Sequence, residues 1–329
     1  MKYSPLTRSL SFAFLLVCAP ALTSLQAAGP KAFDPALYQE VREMRRQGLT
    51  YEVEVNPAMQ YPAGRLNGLR PDMKQADYRA HEPGGYENFE VEELDASALP
   101  ASYTGYFSPA KDQGQCGSCW AFASIGELEG AYLKKHGYPI GKVNADGSIS
   151  PGSARLDLSE QQLLSCNPWG YSCEGGWYAF DMLMPAKAAS GSGYYPGAVP
   201  DFTFRYVAAQ GACSFSAPPN YTPISAWGYV GAGDGIPSTA AIKAAIYKYG
   251  SVIAGVYADR KFQAYRSGVF TGSDNYSPCD HAILLVGWDD AKGAWLLKNS
   301  WTSQWGINGF MWIKYGVNSV GTSAGWAMN

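Results

Sequence analysis

The stretch Gln113-Gly-Gln-Cys-Gly-Ser-Cys-Trp-Ala-Phe122 joins a glycine-rich turn, two cysteines three positions apart and the start of an apolar run. From Cys119 to Tyr132 the apolar side chains recur at helical spacing without a proline, which predicts a largely buried helix. Cys119 then lies near the N-terminal end of that helix, where free backbone N–H groups stabilise a thiolate. The stretch therefore predicts a reactive cysteine at the start of a helix.

The second cysteine of the stretch, Cys116, leaves other interpretations open. Cys116 and Cys119 form a C-x-x-C pair, which by itself fits a redox pair or one half of a zinc site. No second Cys/His pair follows at the spacing of a zinc finger, so we expect neither a metal nor another cofactor.

Composition indicates a globular chain and excludes one class of partner. The 329 residues are 16% charged and 14% aromatic, and a chain of this length can bury a core and form a cleft. The net charge is −3, so the chain lacks the basic surface that a phosphate backbone requires, and we expect no nucleic-acid partner.

The first residues predict export. Two basic residues precede an apolar run that begins at Leu10, and small residues follow, which is typical of a secretory signal peptide spanning residues 1–28. A lipid anchor on Cys18 is the competing interpretation, but the preceding Val17 is bulky where such sites carry a small residue. We expect a secreted or periplasmic protein without stable membrane insertion, since no later segment is long and apolar enough to span a bilayer.

Residues 29–94 differ in character from the rest of the chain. Apolar positions within residues 35–48 fit a short amphipathic helix, residues 50–55 alternate like an edge strand, and prolines then punctuate the sequence. We interpret 29–94 as an accessory segment that lies on a larger domain formed by residues 95–329.

Within the larger domain, helices are predicted first and strands later. Ser159 and Gln162 predict a helix N-terminus at which the two side chains satisfy backbone N–H groups reciprocally. A further helix is predicted over residues 239–249, and the predicted strands are residues 251–257, 282–288, 294–298 and 310–315. This order predicts an α+β fold with two packed subdomains and a cleft between them.

Several motifs occur together in a fixed order. They are the stretch quoted first, Leu158-Ser-Glu-Gln-Gln-Leu-Leu, Cys173-Glu-Gly-Gly176, Asp280-His-Ala-Ile-Leu-Leu-Val-Gly287 and Lys298-Asn-Ser-Trp301. In these motifs the chain resembles the papain-like cysteine peptidases. The resemblance implies a papain-like two-subdomain fold, with a helical N-terminal half, an antiparallel β-barrel-like C-terminal half and the active-site cleft between them.

The resemblance also implies roles for individual residues. Cys119 would be the nucleophile that forms an acyl-enzyme, His281 the general acid and base, and Asn299 the group that orients His281. Gln113, together with the Cys119 backbone N–H, would stabilise the oxyanion, and Trp301 would shield the histidine–asparagine hydrogen bond from water.

Substrate-binding residues are implied in the same way. Gly175 and Gly176 match glycines whose bare backbone pairs with an extended substrate. The candidate pocket walls are Trp177, Tyr178, Gly255, Cys279 and Ala282. We predict a preference for an apolar or aromatic residue two positions before the cut.

The family pattern pairs the remaining cysteines. It implies the disulfides Cys116–Cys173 and Cys166–Cys213, which leaves Cys119 free for catalysis. Cys279 is also left unpaired near the cleft, either as a small buried residue or with a redox role.

The sequence thus predicts a cysteine endopeptidase that is made as a zymogen and acts as a monomer on proteins or peptides. Endopeptidase action is expected because relatives that remove dipeptides use paired histidines, whereas the catalytic region holds only His136 and His281. Residues 29–94 would form an inhibitory propeptide running through the cleft in a non-cleavable direction. Two alternatives remain: a catalytically silent peptide-binding scaffold, and a transpeptidase or ligase.

Overall fold

A computed structural model describes residues 33–74, 99–152, 156–188, 194–216, 220–272 and 278–329. The predicted signal peptide lies outside the described residues, as do residues 29–32 and 75–94 of the predicted propeptide. We call residues 33–74 the leading segment.

The described helices include the four that the sequence predicts, close to their predicted positions, and three short ones that it does not predict. They are α1 (Pro35–Arg46), α2 (Ala63–Leu66), α3 (Cys119–Lys135), α4 (Glu160–Cys166), α5 (Pro185–Ala188), α6 (Thr239–Tyr249) and α7 (Arg260–Gln263). Helix α3 is buried along most of its length, because few positions between Cys119 and Leu133 are polar and those few have buried partners. It is the central helix of the fold.

The start of α4 differs in one respect from the prediction. The Ser159 side chain accepts a hydrogen bond from the Gln162 backbone N–H, as a cap should. The Gln162 side chain does not return to Ser159; it donates to the Gly197 carbonyl and accepts from the Val199 N–H. The Ser159 N–H donates to the Val199 carbonyl instead, so a neighbouring loop replaces the reciprocal half of the cap.

The strands are β1 (Glu52–Val53), β2 (Ser102–Thr104), β3 (Lys142–Val143), β4 (Ile149–Ser150), β5 (Ala226–Tyr229), β6 (Val252–Val256), β7 (Tyr265–Ser267), β8 (Val269–Phe270), β9 (His281–Asp289), β10 (Ala294–Lys298), β11 (Phe310–Lys314) and β12 (Thr322–Met328). The main sheet has the order β5-β12-β6-β9-β10-β11-β8, and β2 pairs with β9. Its pairs are antiparallel except β8–β11, which is parallel.

Two hydrophobic cores lie on opposite faces of the main sheet. One surrounds α3 and includes Trp120 and Leu128 together with Leu284 of β9. The other lies between α6 and the far face of the sheet and includes Ile246 and Leu285. Because Leu284 and Leu285 are consecutive in a strand, their side chains point to opposite faces, and β9 contributes to both cores.

The leading segment docks on the strand-rich half. Strand β1 pairs antiparallel with β7, and the Tyr51 ring packs on Phe270 at a centroid distance of 4.8 Å. Arg260 donates to both carboxylate oxygens of Glu40, at 2.7 and 2.8 Å. These contacts anchor the leading segment on the strand-rich half.

Two further observations concern the whole described chain. Residues 142–150 form the β3–β4 hairpin. Among the described residues, every helix is too short or too polar to cross a membrane.

Candidate active site

Cys119 is the first residue of α3, as the sequence predicts, and it is fully buried. Its Sγ accepts hydrogen bonds from two backbone N–H groups, that of Gly68 at 3.2 Å and that of Ala282 at 3.4 Å. Ala282 follows His281 directly in β9. Helix α3 and strand β9 therefore bring the thiol beside the histidine-bearing strand, although the two residues are 162 positions apart.

His281 is oriented by Asn299 and covered by Trp301. The His281 Nε2 and the Asn299 Oδ1 are 2.8 Å apart, and the same Oδ1 accepts the Ser300 N–H at 2.8 Å. This geometry fits an Nε2–H that donates to Asn299, which leaves Nδ1 as the acceptor. The His281 and Trp301 rings lie 4.6 Å apart, so the indole excludes water from one face of the imidazole.

Burial determines the direction in which the pKa values of Cys119 and His281 are shifted. Burial raises the pKa of the Cys119 thiol to about 12. The hydrogen bonds from the Ala282 and Gly68 N–H groups lower this pKa, but their effect is smaller than that of burial. Burial lowers the pKa of His281 to about 4. The hydrogen bond with Asn299 raises this pKa, but its effect is smaller than that of burial. At neutral pH the pair is therefore a thiol and a neutral imidazole while the leading segment is in place.

Gln113 holds a carbonyl of the leading segment. Its Nε2 donates to the Leu66 carbonyl at 2.8 Å and to the Cys116 carbonyl at 2.8 Å. Its Oε1 accepts from the Ser300 hydroxyl at 2.7 Å, which fixes the orientation of the amide. The Gln113 amide can thus donate a hydrogen bond to a carbonyl oxygen that lies in the cleft beside Cys119.

Beyond Leu66 the leading segment pairs with the glycines predicted to bind substrate. The Gly176 N–H donates to the Gly68 carbonyl at 2.9 Å, and the Arg70 N–H donates to the Gly176 carbonyl at 2.9 Å. Leu69 forms a parallel bridge with Gly176. Gly175 has φ +128°, and an added Cβ there would collide with the Arg70 side chain, so a side chain at this position would displace the bound segment.

Leu69 fills a pocket beside the thiol. An added Cβ on Gly255 would lie 2.9 Å from the Cys279 Sγ and 3.1 Å from Leu69 Cδ2, so the bare Gly255 leaves room for both groups. Leu69 belongs to the same apolar cluster as Trp177, Tyr178, Cys279 and Ala282. Of the predicted wall residues, Gly255 therefore borders the Leu69 side chain, and the other four share its apolar cluster.

The disulfides in the structure are Cys116–Cys173 and Cys166–Cys213. The first joins the loop before the thiol to the glycine loop, and the second joins the C-terminal end of α4 to residue 213. Among the described cysteines, Cys119 and Cys279 are free and buried. Burial raises the pKa of the Cys279 thiol to about 11, so it is protonated at neutral pH.

Sequence reasoning missed residues that support the site from outside the motifs. The Tyr206 hydroxyl donates to the Gln113 carbonyl at 2.8 Å and lies 2.6 Å from the Ser118 hydroxyl. It thereby ties the loop bearing Gln113 to the residue that precedes Cys119. Tyr206 comes from an irregular loop with no periodic pattern, so the sequence offered no signal for this contact.

A buried ionic cluster lies behind the orienting asparagine. Lys298, the residue before Asn299, donates to the Ser108 hydroxyl at 2.7 Å, and that hydroxyl donates to Glu129. Lys111 binds Glu129 and Glu160, each at 2.8 Å. Burial lowers the pKa of Lys298 to about 8. The cluster links α3 and α4 to the end of β10, which Asn299 follows directly, and the sequence analysis did not predict it.

A buried thiol at a helix N-terminus, an imidazole oriented by an amide, and an amide donor beside the thiol are the side-chain set of a cysteine peptidase. The chain belongs to the papain family, because the model for "Papain family cysteine protease" matches residues 92–328. The predicted α+β papain-like fold and the family assignment are thereby confirmed.

Individual relatives agree with this assignment. The chain is 34% identical to Gamete and mating-type specific protein A of Dictyostelium discoideum, over 66% of this chain and 42% of that protein's length. It is 27% identical to fruit bromelain of Ananas comosus, over 97% of this chain and 92% of the relative. A solved structure of digestive procathepsin L2 proteinase from the larval midgut of Tenebrio molitor matches with a TM-score of 0.67 and 26% identity, over 89% of each chain. The last two matches extend beyond the residues of the family model, so the chain corresponds to a precursor form.

Proposed function

We propose that the protein is a cysteine endopeptidase whose leading segment keeps it inactive until that segment is removed. The observation that carries this proposal is the Leu66 carbonyl, which Gln113 holds at 2.8 Å beside the covered Cys119 thiol. A peptide carbonyl is the group that such a site must bind during acyl transfer. The segment thus occupies the position where the substrate would react.

The proposed reaction proceeds through an acyl-enzyme on Cys119. Once the segment leaves, the thiol loses its proton to His281, and the thiolate attacks the scissile carbonyl carbon to form a C–S bond. The carbonyl oxygen becomes an oxyanion that accepts from Gln113 Nε2 and the Cys119 N–H. His281 then gives its proton to the leaving nitrogen as the C–N bond breaks.

Water completes the cycle. His281 takes a proton from water, the resulting hydroxide adds to the acyl carbon, and the C–S bond breaks to release the acid and the thiolate. Asn299 holds the imidazole in place through both proton transfers, because its Oδ1 is itself fixed by the Ser300 N–H. Its amide adds no charge that competes with the thiolate–imidazolium pair.

The direction of the leading segment supports the proposal that the segment is not cleaved in the cleft. In a substrate, the residue that fills the pocket precedes the reacting carbonyl, whereas Leu69 follows the Leu66 carbonyl by three residues. The leading segment directs the Gly68 N–H at Cys119 Sγ over 3.2 Å, and this group is a hydrogen-bond donor and not an electrophile. We therefore propose that residues 29–94 act as an inhibitory propeptide.

The remaining proposals concern the compartment in which the protein acts and the substrates that it cleaves. The predicted signal peptide and the two disulfides support export to an oxidising compartment, either outside the cell or the periplasm. The pocket around Leu69 supports protein or peptide substrates with an apolar residue two positions before the cut.

The experiment compares one preparation before and after processing. A site for a specific protease is inserted among residues 75–98, the full chain is folded, and the segment is removed by cleavage and gel filtration. We expect hydrolysis of a peptide with leucine two positions before the cut only after removal, with products whose masses show the addition of water. Equal activity before and after removal would contradict the inhibitory role, and no activity in either form would favour a silent scaffold.

A further inference from the structure

Lys74 occupies a well-defined cation site at the far end of the cleft. Its Nζ donates to the Gly233 carbonyl at 2.9 Å and to the Asp234 carboxylate at 2.8 Å. The same Nζ lies 4.6 Å from the centroid of the Tyr229 ring and 5.8 Å from that of Trp177. We call Trp177, Tyr229, Gly233 and Asp234 the cation cage. It combines a carbonyl, a carboxylate and two aromatic faces around one ammonium group.

The cage is built into the catalytic domain. The Trp177 Nε1 donates to the Tyr229 hydroxyl at 2.9 Å, which fixes the two rings relative to each other. An added Cβ on Gly233 would lie 2.7 Å from the Tyr229 ring, so the backbone that presents the carbonyl packs directly on that ring. None of the four residues belongs to the leading segment, and the cage therefore remains when Lys74 leaves.

The cage lies on the path that a substrate would follow. Trp177 is the residue after Gly176, which pairs with the backbone of the leading segment at Leu69. From Leu69 the segment passes through a 3₁₀ turn at Pro71–Met73 and reaches the cage with Lys74. A substrate whose apolar residue fills the Leu69 pocket extends its preceding residues toward the same end of the cleft. An extended chain advances about 3.3 Å per residue, so a lysine one to three positions before the pocket residue reaches the cage.

We propose that, after processing, the cation cage binds a lysine side chain of the substrate, three to five positions before the cut. This proposal rests on the proposed peptidase function. The cage fits a compact ammonium, because one nitrogen satisfies the Gly233 carbonyl and the Asp234 carboxylate at once while lying over a ring. The Asp234 side chain is 75% exposed. Its ion pair with the substrate lysine therefore contributes moderately to binding, and this contribution falls as salt concentration rises.

The test uses the processed enzyme and acetylated fluorogenic peptides with leucine two positions before the cut. Lysine or norleucine is placed in turn at the third, fourth and fifth positions before the cut. At one of these positions we expect kcat/KM to be about five- to tenfold higher with lysine, since a cation–π contact and an exposed ion pair each contribute modestly. Peptides with norleucine and a free N-terminal amine show whether an N-terminal ammonium substitutes for the lysine side chain.

Two variants distinguish lysine binding in the cation cage from a general effect of negative charge on the protein. Asp234→Asn should reduce the lysine preference at least by half, whereas Asp290→Asn, which removes one negative charge elsewhere, should leave it unchanged. Asp290→Asn should also hydrolyse a short substrate that ends at the pocket residue as fast as the unsubstituted enzyme. Equal rates on lysine and norleucine peptides, with normal turnover of the short substrate, would overturn the cage proposal alone. Absence of turnover on every peptide would instead contradict the peptidase function.

Discussion

The Gln113 side-chain amide donates to the carbonyl of Leu66 over 2.8 Å, and this contact joins the catalytic domain to the segment that covers it. The contact reproduces one interaction of the proposed reaction, because the donor that would stabilise an oxyanion already binds a peptide oxygen. Two residues later, the Gly68 N–H points at Cys119 Sγ. In the proposed mechanism, inhibition and catalysis therefore use the same donor and the same thiol.

Removing the Gln113 donor should slow the chemical step. We expect Gln113→Ala in the processed enzyme to lower kcat by about 10²-fold with a smaller change in KM, because the donor acts mainly on the transition state. Steady-state kinetics on one fluorogenic peptide measures this, with Gln210→Ala as a control that should keep normal kcat. An unchanged kcat for Gln113→Ala would show that the amide does not serve the oxyanion.

Loss of the orienting amide should affect proton transfer more than binding. We expect Asn299→Ala to lower kcat by about 10²-fold, since a freely rotating His281 spends little time in the productive orientation. The pH profile of kcat/KM should shift as well, because the Asn299 hydrogen bond favours the charged imidazole. A variant with normal kcat and an unshifted profile would contradict the orienting role.

The fit of the leading segment can be tested at Gly68. An added Cβ there would collide with the Gly117 carbonyl, so Gly68→Ala should force the segment away from the thiol. We expect the uncleaved precursor to hydrolyse substrate about tenfold faster than the unsubstituted precursor, a change typical of one overpacked contact.

The matched control is Gly64→Ala, where nothing lies within 4 Å of an added Cβ. Initial rates are measured while mass spectrometry verifies that both precursors are intact. A precursor carrying Gly68→Ala that stays as silent as the control would rule out tight packing at Gly68 as a cause of inhibition.

Glu127 should make stability depend on pH. Its carboxyl accepts from the Ser251 hydroxyl at 2.7 Å and from the Ala327 N–H at 3.3 Å, yet burial raises its pKa to about 8. A pKa raised on folding adds stability below the unfolded value of about 4.5, and this stability is lost as the pH rises through about 8.

Glu127→Gln removes this titration while keeping the shape of the side chain. We expect the free energy of unfolding of the variant, relative to the unsubstituted chain, to rise between pH 5 and pH 9. Urea unfolding at pH 5, 7 and 9, with Cys119 blocked to prevent autolysis, measures the difference. Parallel pH dependence in both proteins would mean that Glu127 does not titrate in this range.

The candidate catalytic residues could be predicted from the sequence because each lies in or beside a motif formed by residues adjacent in the chain. Cys119 lies in the motif of residues 113–122. His281 begins β9 and Asn299 follows β10, and both strands have the apolar pattern that predicts a strand. Helix α6 and strand β10 were predicted with the bounds the structure has, since each is a short apolar run between polar or glycine residues.

What escaped prediction depends on contacts between distant parts of the chain. Leu66 and Lys74 carry no pattern of their own, and their partners, Gln113 and Asp234, are distant in the chain. Tyr206 lies in an irregular loop, and its position under Gln113 follows only from the folded loop. The parallel pairing of β8 with β11 also depends on tertiary context, because β8 is only two residues long.

The most direct test of the account is the rate at which an epoxysuccinyl inhibitor modifies Cys119 in the same preparation before and after removal of the leading segment, with peptide mapping. With the thiol pKa raised to about 12, the precursor should react at least about 10²-fold more slowly at pH 7 than the processed enzyme. In the processed enzyme, modification should map to Cys119 and abolish peptide hydrolysis. Equal rates in the two forms, or modification at Cys279, would contradict the assignment of a covered Cys119 nucleophile.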